Sequence, residues 1–179
     1  MKKLILFAAV VLSVFLTGCE KIKELTRFDI PITKTVTIPA APVVIPVPVE
    51  ISTDSIETGY AAKLNEYQVS ENLVDKITLK SFNMTIDAPA NADFTFLKSI
   101  KIYISAKGLE KKLVASKTDI SDTTGNSLML NVEAYDFKNY IFSGKIKLYV
   151  EIVTDKVTLT DYTITATPLF TVDANLLGL

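Results

Sequence analysis

The 179-residue chain contains one cysteine, Cys19, and no histidine. Together these decide most of the chemistry open to it. No Ser-His-Asp or Cys-His set can be assembled, because there is no imidazole to take the proton of an attacking hydroxyl or thiol. Zinc and the other imidazole- or thiolate-bound metals lose their usual ligands, which leaves oxygen-ligand ions such as calcium. A histidine pH switch is excluded for the same reason. The six glycines stand singly, at positions 18, 59, 108, 125, 144 and 178, so no glycine-rich loop is available to cradle a phosphate. Carboxylate chemistry, Ser-Lys chemistry or no chemistry remains.

Among the carboxylates, Glu133 with Asp136, or with Glu151 on a later strand, are the acids that could face each other across a cleft as a glycoside hydrolase requires, although they carry no spacing signature. Asp87, Asn91 and Asp93 in one turn, and Asp119, Asp122 and Asn126 in another, offer oxygen ligands for calcium. Turns favour these residue types without any metal, and neither set has EF-hand spacing. No metal or other cofactor is therefore expected. Lys101, Tyr103, Lys147 and Tyr149 alternate along two strands and would form an aromatic and cationic face for a protein or glycan partner if those strands are neighbours. The plainer alternative is a solvated sheet face on which Lys and Tyr stems pack across strands.

Residues 1–18 have the plan of a secretory signal: Lys2 and Lys3, an apolar run from Leu4 to Leu16, then small residues before Cys19. The run is shorter than the roughly 20 residues of a permanent membrane-spanning helix. Leu16-Thr17-Gly18-Cys19 closely resembles the lipobox of bacterial lipoproteins. That resemblance implies that a signal peptidase recognises Leu16, Thr17 and Gly18 and cuts before Cys19. It also implies that the Cys19 thiol carries a diacylglycerol and that the new amine is acylated. Each buried acyl methylene contributes about 0.8 kcal/mol, so three chains would hold the protein on a membrane. The alternative is an ordinary secretory signal that leaves a free thiol in an oxidising compartment. Without residues 1–18 the chain keeps 17 basic side chains against 20 acidic ones, which gives no electrostatic footprint for nucleic acid. Glu20 to Arg27 reads as a polar tether reaching about 28 Å when extended. The expected organisation is a signal over 1–18, a lipidated N-terminus and tether over 19–27, and one domain over 28–179.

The elements that must position these residues are mostly strands. Phe28, Ile30, Ile32, Val36 and Ile38 share one face. In Pro39 to Ile51, Val43, Ile45, Val47, Val49 and Ile51 share a parity and Pro42, Pro46 and Pro48 have the other, which predicts an edge strand whose missing donors all lie on its open side; an extended proline-rich linker is the alternative. Thr53 to Tyr67 is the helix candidate, with Asp54 and Glu57 at capping-box spacing. A second short turn is expected from Ser70, leading through Leu73 and Val74 into the next strand. Ile77 and Leu79 are odd while Phe82, Met84 and Ile86 are even, which predicts a bulge or sheet switch near Lys80 and Ser81. Inward rows are expected at Ile100, Ile102 and Ile104, at Leu128, Leu130 and Val132, at Ile146 to Ile152, and from Tyr162 to Ala174, where Pro168 should bend the strand or mark an edge. Asp136 to Tyr140 reads as a brief helical turn over the end of the fold. The pattern predicts an all-β, two-sheet antiparallel sandwich with one short helix; a closed β-barrel is the alternative.

FTFLKSIKIYISAKGL (Phe94 to Leu109), YDFKNYI (Tyr135 to Ile141) and PLFTVDANLL (Pro168 to Leu177) resemble an uncharacterised family of Bacteroidota lipoproteins. The resemblance implies an outer-membrane location, periplasmic or surface-facing, and brings no activity with it. Arg27, the sole arginine, stands where an Arg-directed protease would cut a lipoprotein pilin of that bacterial group, but those pilins are much longer. The expected function is non-enzymatic binding or assembly at the cell envelope. A carrier of an apolar ligand and a carboxylate hydrolase are the alternatives, and no nucleotide or nucleic-acid partner is expected.

Overall fold

A computed structural model describes residues 27–44 and 46–175. The signal, the lipobox residues Leu16, Thr17, Gly18 and Cys19, the tether before Arg27, Ile45 and Leu177 lie outside the described residues. The strands are β1 (Arg27–Pro31), β2 (Lys34–Ile38), β3 (Val49–Ser52), β4 (Ile56–Glu57), β5 (Val74–Ala88), β6 (Leu97–Ala106), β7 (Leu109–Thr118), β8 (Ser127–Val132), β9 (Lys145–Thr154) and β10 (Tyr162–Ala174). Two short helices, α1 (Tyr60–Glu66) and α2 (Lys138–Phe142), and 3-10 turns at Glu71–Leu73 and Phe94–Phe96 complete the set; α2 overlaps the helical turn expected at Asp136 to Tyr140, and Glu71–Leu73 is the short turn expected from Ser70.

The strands form an all-β sandwich of two antiparallel sheets. In one, β10 lies between β5 and the edge pair β1 and β2. In the other, β6 and β9 are central, with β7 beyond β6 and with β3 and β4 on the far side of β9. β8 joins them: Ser127 to Leu130 pair with β5, and Asn131 and Val132 pair with β7. The order runs β1-β10-β5-β8-β7-β6-β9-β3, so the sheets are continuous on one side and stay open between β1 and β3 instead of closing into a barrel.

Period-two patterning places the core where the sequence predicts. Ile77, Phe82, Ile164, Phe170 and Val172 from one sheet meet Ile100, Ile102, Ile104, Ile146 and Val150 from the other, all nearly or fully buried. The parity change in β5 is a bulge: Leu79 pairs with Phe170 and Ser81 with Leu169, so Lys80 has no partner of its own and both Leu79 and Phe82 stay inside. α2 plugs one end of the sandwich. Asp136 accepts hydrogen bonds from the Ile77 N–H (3.0 Å) and the Lys138 N–H (2.9 Å), and Phe137, fully buried, meets the Phe170 ring edge-on at 5.8 Å.

Three local expectations are corrected. Residues 39–44 and 46–48 do not form an edge strand; apart from one bridge between Ala41 and Thr158 they are irregular chain on the open side, and only Val49–Ser52 of the expected strand pairs at the edge. With prolines at 39, 42, 46 and 48 the segment lacks donors for a ladder, and Val43 and Val47 are 65% and 60% exposed. The helix begins seven residues late. Ile56 pairs with Ile146 and is buried, which keeps residues 53–58 extended, and Gly59, at φ 66°, then makes the left-handed turn into α1. Finally, of the two expectations for Pro168 the edge is overturned: β10 is an interior strand, paired on both sides. Pro168 turns its missing N–H toward the edge: the Ile32 N–H donates to the Pro168 carbonyl at 3.0 Å, but Pro168 can return no bond. That lost bond separates β1 from β2, which otherwise run along β10 in one unbroken register from Arg27 opposite Asp173 to Ile38 opposite Tyr162.

Candidate functional site

The outward face of the second sheet gathers the residues expected to meet a partner. β6 and β9 are neighbours, and their register sets Tyr103 directly opposite Tyr149, Lys101 opposite Glu151, and Ser105 opposite Lys147. The two tyrosines are therefore one cross-strand aromatic pair, half-buried at their bases. Lys101 donates to Glu151 at 3.0 Å, and that hydrogen bond, reinforced by the carboxylate charge, raises the Lys101 pKa above its ordinary value. Lys147 lies on the same face toward the α2 end, lining an open groove of about 560 Å³ with Lys107, Lys145, Ser55, Ser105 and Ser143.

Two residues that the sequence reading missed complete this face. Lys111 of β7 stretches over both rings, its Nζ 4.9 Å from each centroid, and ends on the carboxylate of Glu50 in β3. The hydrogen bond from Lys111 to Glu50 raises the lysine pKa. The available signal was the hairpin itself: Lys107-Gly108 connects β6 to β7 in two residues, with Gly108 at φ 76°, and so brings residue 111 back beside the Tyr103 strand. Glu50 was out of reach because the preceding prolines disguised where β3 begins.

The hydrolase acids do not converge. Asp136 accepts from the Lys138 N–H at the start of α2 and from the Ile77 N–H of β5, Glu151 is held by Lys101 on the sheet face, and Glu133 stands exposed after β8. Nor do the calcium loops assemble: Asp93 caps the Phe94–Phe96 turn through the Thr95 N–H (3.0 Å) and hydroxyl (2.6 Å), which lower its pKa, while Thr165 donates to Asp87 and Lys156 to Asp122. Among the described residues no group of three acidic side chains is placed to hold a metal. Between the sheets, an apolar pocket beneath residues 38–41, lined also by Ile51, Phe96 and Ile152, has a volume of about 60 Å³, too little for an acyl chain.

No family model matches the sequence, and no curated protein does. Solved structures offer distant likenesses. FlhE shares 8% identity over 83% of this chain and 97% of its own, with a TM-score of 0.34. The C-terminal domain of a chitobiase from Bacteroides fragilis shares 16% over 71% and 66%, with a TM-score of 0.36. CBM32-1 from a family 31 glycoside hydrolase of Clostridium perfringens shares 17% over 75% of each chain, with a TM-score of 0.32. At these values the likenesses say nothing about function.

Proposed function

We propose that this protein is a lipid-anchored outer-membrane β-sandwich that binds or organises a partner at the cell envelope and catalyses no reaction. The observation that carries the binding reading is the Tyr103–Tyr149 pair, held side by side on a rigid two-strand platform and flanked by Lys101, Lys111 and Lys147. Two broad rings with polar tips supply contact area at little cost in side-chain entropy, which suits a protein or glycan surface. The non-catalytic reading is supported by the structural work of Asp136 and Glu151, the acids best placed in sequence for hydrolysis. The anchor rests on the Leu16-Thr17-Gly18-Cys19 motif.

The test is in cells. A photo-crosslinking amino acid in place of Tyr149 should trap a defined protein or glycan at the envelope, and trapping should fall in a Tyr103→Ala background. Cys19→Ser should release the protein from the membrane fraction. Adducts only to bulk lipid and abundant porins would defeat the binding reading, and a Cys19→Ser protein still found with membranes would defeat the anchor.

A further inference from the structure

The described residues expose few large apolar side chains, and five of these, Val43, Val44, Val47, Val157 and Leu159, lie on just two loops. The loops are fastened together. Ala41 N–H donates to the Thr158 hydroxyl at 2.8 Å, Thr158 N–H donates to the Ala41 carbonyl at 2.9 Å, and Ala40 N–H donates to Asp161 at 2.8 Å. Thr158 is buried to make these bonds, so its neighbours Val157 and Leu159 turn outward, and Leu159 is 81% exposed. The aliphatic groups thus sit on a pinned ridge. Exposing them has a solvation cost that the fold does not require, since Thr158 and Asp161 make the clamp.

The ridge has a defined place and a defined charge around it. β1 and β2 run the length of β10, so Ile38, where the ridge begins, is about 36 Å from Arg27, where the chain enters the body. Six aspartates belong to this end, at positions 87, 93, 119, 122, 155 and 161, against Lys98, Lys117 and Lys156. Lys156 is itself bonded to Asp122 and lies in the field of Asp93 and Asp155.

We propose that this ridge docks a protein partner whose surface offers an apolar recess rimmed by lysine or arginine. The acidic surround complements such a rim and disfavours anionic lipid headgroups. A second copy meeting it ridge to ridge would oppose the same aspartates, and like charges across an interface weaken association. The ridge is separate from the Tyr103–Tyr149 face and the inference needs only the folded body, so it survives if the proposed function fails.

The full-length protein would carry a photo-crosslinking amino acid at Leu159 or, as control, at Met129, an exposed residue on β8. The expected result is one discrete protein adduct from Leu159 and none from Met129, with the trapped peptide containing apolar residues flanked by Lys or Arg. Val157→Asp should reduce the adduct at least five-fold, and binding of the purified pair should weaken several-fold between 50 and 500 mM salt. Because Val157 and Leu159 are exposed, unchanged melting should accompany both changes; if Val157→Asp does not fold, Val43→Asp on the facing loop serves in its place. No adduct, adducts only to lipid or to a second copy, or a trapped surface without basic residues would overturn the proposal.

Discussion

Thr53 substitutes for a piece of strand, and removing its hydroxyl should cost far more than its size suggests. β3 pairs with β9 as far as Ser52 opposite Tyr149, and the next pair would be Thr53 with Leu148. Half of that pair forms: the Thr53 N–H donates to the Leu148 carbonyl at 2.9 Å. The chain then turns away, and the Leu148 N–H is satisfied by the Thr53 hydroxyl at 3.0 Å, in a buried position. Thr53→Val keeps the shape and deletes the acceptor, leaving a buried N–H without a partner, a loss of about 1–3 kcal/mol. In a domain of this size each kcal/mol lowers Tm by about 2–4 °C, so the variant should melt about 2–12 °C below the parent. Thr53→Ser keeps the acceptor and loses one methyl, worth about 0.8 kcal/mol, and should fall between the two. Urea unfolding with a thermal melt separates the three proteins. A Thr53→Val protein as stable as the parent, or less affected than Thr53→Ser, would refute the reasoning.

Deleting Lys80 removes the unpaired residue of the bulge and leaves Leu79, Ser81 and Phe82 opposite Phe170, Leu169 and Pro168 in regular alternation, so Leu79 and Phe82 should both stay inside and a denaturant titration should keep one cooperative transition; loss of cooperativity would refute the bulge reading. Partial burial opposes ionisation of Asp29, but hydrogen bonds from Lys80 and Thr171 outweigh it and hold its pKa below the ordinary value. Its contribution to stability is then complete above about pH 4 and is lost as pH falls through the lowered folded-state pKa, so Asp29→Asn should flatten the acid side of a urea-midpoint profile. A double-mutant cycle on Lys101 and Glu151, an ion pair with the lysine 43% exposed, should give only a small coupling that falls further with salt.

Strands were legible in this sequence wherever one face is buried, because burial imposes a strict period of two; Ile100 to Ile104, Ile146 to Ile152 and even the slip at Lys80 show it. The pattern failed where backbone hydrogen bonding, and not burial, decides the path. Val43 and Val47 have strand parity, but the prolines around them remove the donors of a ladder, so parity there reports no buried face. Asp54 and Glu57 have capping-box spacing, but Ile56 is worth more against Ile146 than in an exposed first turn. At the candidate site the tyrosine pair was readable conditionally, since it needed only β6 beside β9. Lys111 and Glu50 were not, because they meet across two intervening strands, a contact that local pattern does not encode.

The lipid anchor is tested most directly by intact-mass and N-terminal peptide mass spectrometry of the protein taken from its native membrane. The mature chain should begin at Cys19, with a diacylglyceryl thioether on its sulfur and an acyl group on its amine. A free Cys19 thiol, or a mature chain that starts elsewhere, would contradict it.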